Sequence, residues 1–262
     1  MKLSHTNHKS YNIGGIRVDD VTYQEALAII EQFMAEPFMH HIVTPNIDHV
    51  MNAQSDKEFC SLIGRSALSV PDGQWLRRGS RLAGIHLREG VAGRQLVEPL
   101  CKLAAKRDWS IYILASVGDV AQLAGERLQK DYPGLRVVGT RSPSMQFGSD
   151  ESESESILGE INQFKPDILF LGLGSPKSEK WIAKFQDRLP SRVALHVGYA
   201  FDVLAGGIRE CPIWMTRMGM EWAHRLSLEP KRLWRRYLIQ DPQFFPLMLR
   251  QRFSSRPNQW KQ

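Results

Sequence analysis

ILFLGLGSPKSEKW, residues 168–181, is the stretch whose reading decides the fold. Its first four residues, Ile168, Leu169, Phe170 and Leu171, are a short continuous apolar run, which predicts a fully buried strand. Gly172, Gly174 and Ser175 then open a tight turn. Pro176 suits the first position of a helix, where its missing N–H is not needed. A strand that passes through a glycine turn into a helix presents free backbone N–H groups at the helix N-terminus. Such a terminus favours a phosphate or another anion, and Lys177 adds positive charge. Many turns of this kind use glycine for geometry alone. The run is neither a P-loop nor a GxGxxG pattern.

The same alternation extends outward along the chain. Strands are predicted at 13–18, 67–70, 111–114, 135–138 and 193–197, and a further short strand ends with Ile42 and Val43. Helices are predicted at 22–35, 47–63, 93–107, 119–130 and 157–164. Residues 142–156 (SPSMQFGSDESESES) are acidic and serine-rich and read as a loop. Strands alternating with helices imply βαβ units and an α/β fold with a mostly parallel sheet covered on both faces. Ligands of such sheets bind at the carboxyl ends of the strands. The residues expected there are Thr44, Asn46, Asp72, Ala115, Ser116, Gly174, Ser175, Gly198 and Asp202. Residues 1–210 read as one core and residues 211–262 as an appendage of helices.

Composition narrows the class. Of 262 residues, 42% are hydrophobic and 24% charged, ordinary values for a globular chain with a substantial core. No apolar run approaches the roughly 18–20 residues that span a bilayer. The start, MKLSHTNHKSYN, lacks the apolar centre of a signal peptide. Cys60, Cys101 and Cys211 fit no zinc spacing and no disulfide framework, so the expected setting is cytoplasmic. The eight histidines show no ligand spacing, and no HExxH, GxSxG, CxxC or DxD pattern occurs, so neither a metal nor a cofactor is expected. The net charge of +6 is uneven. From Arg217 onward ten basic residues face three acidic ones, leaving the rest of the chain close to neutral. Trp222, Trp234, Tyr237, Phe244, Phe245, Phe253 and Trp260 are interleaved with them. Basic residues among large aromatics suit an anionic membrane interface. They suit nucleic acid less, because a neutral body carries no basic groove.

Two carboxylates stand at strand ends. Asp72, in Val70-Pro71-Asp72-Gly73, faces the expected crevice as a general base, a ribose ligand or a metal ligand, or else caps the following helix. Asp202, in Gly198-Tyr199-Ala200-Phe201-Asp202, suits a ribose or base edge, or again a cap.

Five runs together carry a resemblance: TPNIDHVMNAQ from Thr44, VPDG from Val70, LGLGSPKSEKWI from Leu171, VGYAFDVLAGG from Val197 and GMEWAHRLSLEPKRLWRRY from Gly219. In order and spacing the chain resembles the WecG/TagA/CpsF glycosyltransferase family. The resemblance implies a Rossmann-like core and an inverting, metal-independent transfer from a UDP-sugar to a polyprenyl-diphosphate-linked saccharide. The products are cell-surface glycans, exopolysaccharide among them. It implies that Asp72 is the base and that Thr44 and Asn46 line the pocket. Gly174, Ser175, Lys177, Gly198 and Asp202 belong to the nucleotide site. Arg225, Arg232, Arg235 and Arg236 belong to an appendage that meets the inner face of the cytoplasmic membrane and the acceptor diphosphate. Homo-oligomers are compatible with this reading. The chain departs from the family pattern at Gly90, where the family has Arg, at Ala115-Ser116 and Tyr199, where it has Gly, and at Ser178, where it has Gln. Four such changes around one crevice are expected to alter the donor or acceptor, or to leave a UDP-sugar-binding, regulatory member without catalysis.

Overall fold

A computed structural model describes residues 8–116, 118–254 and 258–260. The polar stretch 1–7 and the basic Arg256 and Lys261 lie outside the described residues. The chain opens with an antiparallel hairpin, β1 (Ser10–Ile13) and β2 (Ile16–Asp19), where one strand over 13–18 is predicted. Gly14-Gly15 makes the turn.

Six further strands build the central sheet: β3 (His40–Val43), β4 (Leu68–Ser69), β5 (Ser110–Ala115), β6 (Arg136–Arg141), β7 (Ile168–Gly172) and β8 (Val193–His196). All pairings are parallel, in the order β4-β3-β8-β7-β5-β6. The fold is Rossmann-like α/β. Register places Leu171 of β7 between Leu114 of β5 and His196 of β8. Side chains alternate between two packed faces. Ile111, Ile113, Ile168, Phe170, Val193 and Leu195 pack with the helices Tyr23–Phe33, Gly93–Arg107 and Val120–Asp131. Tyr112, Leu114, Leu169, Leu171 and Ala194 pack with Glu151–Phe164 and Lys177–Phe185. Burial on both faces is why the β7 sequence is an unbroken apolar run. The connections leaving β3 and β5 run to opposite edges of the sheet, which opens a crevice at the strand ends between them.

Two local expectations are corrected. The predicted helix over 47–63 is two helices, Ile47–Ala53 and Lys57–Arg65, because Asp56 accepts a hydrogen bond from the Phe59 N–H and starts a second one. The predicted loop over 142–156 ends earlier. The helix Glu151–Phe164 takes in ESESES, capped by Asp150, whose side chain accepts from the Ser152 and Glu153 N–H groups. Glu151 and Glu153 in its first turn complement the helix dipole.

The C-terminal residues form the helices Ile213–Met218, Glu221–Leu228, Pro230–Arg235 and Phe244–Arg252, with a wide π-type turn at Arg236–Gln240. Phe244 and Met248 are fully buried in a cluster with Ile13, Ile16, Val50 and Leu76. Gln251 bonds the backbone of Asn12 and Gly14 in the hairpin. Charge and sequence divide near residue 210, but apolar packing runs across that point. Among the described residues no helix is long and apolar enough to cross a membrane.

Candidate active site

The ends of the parallel strands converge on one cavity of about 790 Å³. Thr44 and Asn46 enter it from β3, Asp72 from β4, Ser116 from β5, Gly174 and Ser175 from β7, and Gly198 and Asp202 from β8. Two of these turns are built against each other. The Asp72 N–H donates to the Pro45 carbonyl at 2.8 Å, and the Val91 N–H to the Pro71 carbonyl at 2.7 Å. Gly73 takes a left-handed φ of 90°. Its carbonyl oxygen lies 2.8 Å from where a Cβ on Gly90 would stand. The chain therefore has no room for a side chain at Gly90 without a backbone shift. Gly172 is fixed by a similar contact, since an added Cβ would meet the Phe201 ring at 2.7 Å. At Gly174 the space is open to the cavity.

Asp72 is half-buried on the cavity wall. It does not cap a helix: Gly73 is the N-cap of Gln74–Ser80, and that end has no side-chain cap. Among the described residues no hydrogen bond from the protein reaches its carboxylate. Desolvation raises its carboxyl to about 7. His49, Arg94 and Arg236 pull in the opposite direction, and Glu221 adds to the rise. A carboxylate that is unpaired, faces a cavity and titrates near neutrality is suited to proton abstraction. Asp202 also titrates above the usual carboxylate range through burial, and it accepts from the Ser116 hydroxyl at 3.1 Å.

A polar network set into the same wall, through Asn46, His49, Glu179 and His196, is not legible in the sequence. Asn46 caps Ile47–Ala53, and its side chain lies 2.9 Å from His49 Nδ1. His49 Nε2 lies 3.0 Å from Glu179 Oε1, and Glu179 is only 1% exposed. A carboxylate can only accept, so Nε2 carries the proton. Burial by itself would raise the Glu179 carboxyl, yet His196 and His49 beside it hold it well below the usual range. Ser178 Oγ contacts His196 Nδ1 at 3.1 Å. The His41 ring meets the His196 ring edge-on, with 5.5 Å between centroids, and burial pushes its imidazole down to about 3. The partners of Glu179, His49 and His196, come from the helix Ile47–Ala53 and from β8, so no local motif announces them.

The C-terminal segment closes the other side. The Trp75 indole donates to the Gly219 carbonyl at 2.6 Å. Every arginine on the cavity wall meets a carboxylate: Arg94 with Glu221 at 2.5 Å, Arg225 with Glu229 at 3.1 Å, Arg232 with Glu229 at 2.6 Å, and Arg236 with Asp48 at 3.4 Å and Asp241 at 3.7 Å. Burial raises Asp241 to about 6.

Not all expected residues join this site. Lys177 is exposed and its ammonium points to the Met145 carbonyl at 3.5 Å, away from the cavity wall. Pro176 follows a cis peptide bond and caps the helix Lys177–Phe185 rather than opening it. Arg235 is exposed and also off the wall. Of the departures expected around one crevice, only Ser116 and Tyr199 line it. Ala115 ends β5 inside the core, and Ser178, in the first turn of the helix Lys177–Phe185, is buried against His196. Among the described residues no group of three or more His, Cys, Asp or Glu side chains is arranged to hold a metal ion.

The geometry can be set beside known proteins. A family model described as "Glycosyl transferase WecG/TagA/CpsF family" matches residues 11–258. The chain is also similar to an N-acetylglucosaminyldiphosphoundecaprenol N-acetyl-beta-D-mannosaminyltransferase of Staphylococcus aureus strain MRSA252, 27% identical over 232 residues, which cover 88% of this chain and 89% of the relative. A protein of the same name from strain COL is similar to the same extent. The matched span takes in every strand of the sheet, the Asp72 turn and the arginines of the C-terminal segment, and on that basis the chain belongs to the WecG/TagA/CpsF family of glycosyltransferases.

Proposed function

We propose that this protein is an inverting, metal-independent glycosyltransferase that moves a sugar from a UDP-sugar to a polyprenyl-diphosphate-linked saccharide at the inner face of the cytoplasmic membrane. Its product belongs to a cell-surface glycan, exopolysaccharide included. The observation that carries this reading is Asp72, a carboxyl raised to about 7 on the wall of a cavity that also holds four arginines. Asp72 takes the proton of an acceptor hydroxyl as the oxygen attacks the anomeric carbon. A single displacement of this kind inverts that carbon, and UDP leaves. The negative charge developing on the diphosphate is met by Arg94, Arg225, Arg232 and Arg236 and by backbone N–H groups of the Gly174-Ser175 turn. Asp202 suits the ribose. The similar staphylococcal proteins carry names that specify a diphosphoundecaprenol-linked acceptor, which supports an acceptor of that chemical class.

The membrane side of the reading rests on exposure. Trp214, Met218, Leu228, Trp234, Leu238 and Ile239 are all exposed, within the segment that holds the excess positive charge. Apolar side chains among cations suit an anionic lipid surface.

The test is transfer from a panel of UDP-sugars to a polyprenyl-diphosphate saccharide in the presence of EDTA, with the anomeric configuration of the product read by NMR. An inverted product formed in EDTA is expected. UDP-sugar binding with no turnover against any acceptor would instead identify a regulatory, non-catalytic member.

A further inference from the structure

Tyr199 is the larger of the two departures that line the cavity, and its surroundings assign it work. It follows Gly198 at the end of β8, half-buried. The Arg225 guanidinium lies over its ring, 3.9 Å from the centroid. One terminal nitrogen of Arg225 reaches Glu229. Its Nε is buried and without a hydrogen-bond partner. The Tyr199 hydroxyl makes no hydrogen bond among the described residues. The ring face, rather than the hydroxyl, is thus what the protein uses. Arg225 belongs to the C-terminal segment and Tyr199 to the sheet, so this stack is a junction between the two across the cavity. A guanidinium held by an aromatic face on one side and a carboxylate at one end keeps its other donors in a fixed plane. That suits a planar, bidentate contact with a phosphate.

We infer that Tyr199 is a positioning residue that presents Arg225 to the diphosphate of the donor, and so sets the affinity for a nucleoside diphosphate over a nucleoside monophosphate. The inference rests on the proposed function, in that it takes the cavity to hold a nucleoside diphosphate. Tyr199 does not touch the reacting atoms. It acts through Arg225.

Calorimetric titration of the full chain with UDP and with UMP tests this, for wild type, Tyr199→Phe, Tyr199→Ala, Arg225→Ala and the double variant, each checked for an unchanged melting profile. Tyr199→Ala is expected to weaken UDP about 10-fold and UMP by less than about 2-fold. Tyr199→Phe keeps the ring and is expected to bind UDP as wild type does. The double variant is expected to match Arg225→Ala, because the stack has no effect once the guanidinium is gone. Equal loss for UDP and UMP, a Phe variant as weak as the Ala variant, or additive losses would each overturn the inference while leaving the donor assignment standing. Failure of wild type to bind UDP at all would overturn the reading of the cavity, and this inference with it.

Discussion

Replacing Asp72 by Asn separates its chemical role from its effect on the fold. The side chain keeps its shape and loses its charge. In the folded protein the carboxyl titrates near 7, raised by desolvation from 3.8. The folded state therefore holds this proton more tightly than the unfolded chain does. Stability associated with the protonated form is fully present below about pH 4 and is lost as pH rises through about 7. A shift of roughly three units corresponds to about 4 kcal/mol at the upper limit. Asp72 retains some contact with the cavity and Asn must also be desolvated, so about 2 kcal/mol is the working figure. For a chain of this size that raises the melting temperature by roughly 4–8 °C at pH 8.5. The gain should shrink toward zero near pH 4. The same variant should lose about 1,000-fold in transfer rate, as expected for removal of a general base. The assay is thermal unfolding of both proteins from pH 4 to 8.5 in buffers of equal ionic strength, alongside transfer at pH 8. A melting difference that stays flat with pH refutes the raised carboxyl. Undiminished transfer refutes Asp72 as the base.

Three further outcomes follow from the same geometry. The acid limb of kcat/KM should titrate near pH 7, and Arg94→Ala, which removes a positive charge that favours the Asp72 carboxylate, should move that limb to higher pH in a pH–rate profile. Glu179→Ala should destabilise the fold by about 3–5 kcal/mol in urea titration at pH 7, because His49 and His196 lose the carboxylate buried between them; Glu179 is depressed in the folded state, so its contribution is present above about pH 4.5 and the difference should narrow as pH falls below that value. Trp214→Ala with Trp234→Ala should weaken binding to anionic vesicles at least about 10-fold in a sedimentation assay without changing UDP affinity, and these exposed residues are the better probe because removing residues 217–262 would also remove the core side chains Phe244 and Met248.

Much of the fold and part of the site were legible from residue order alone. The apolar run at Ile168, the glycine turn after it and the repeated alternation of strand and helix specify a parallel sheet covered on both faces, since only such a sheet buries both sides of a strand. That in turn places Thr44, Asn46, Asp72, Ser175 and Asp202 at one edge. What fell short was local. Asp56 and Asp150 start helices through side-chain hydrogen bonds to first-turn N–H groups, which a periodicity does not register. Lys177 carries the right charge beside the right turn, yet its helix turns it outward to Met145.

The remaining decisions belong to the tertiary structure, because they join groups far apart in the chain. Whether Asp72 is a base depends on how much water its neighbours exclude. Its surroundings come from the turn after β3, the helix that begins at Gly93 and the C-terminal segment. Glu179 stays ionised in the interior because His196 and His49 lie beside it, the latter at 3.0 Å although 130 residues separate the two in sequence. The basic tail reads in sequence as a charged appendage, but Phe244 anchors it in the core and Arg225 lies on Tyr199 across the cavity. Sequence fixes which residues follow a strand. Burial and Coulomb interactions depend on separations in space, and only the folded chain sets those.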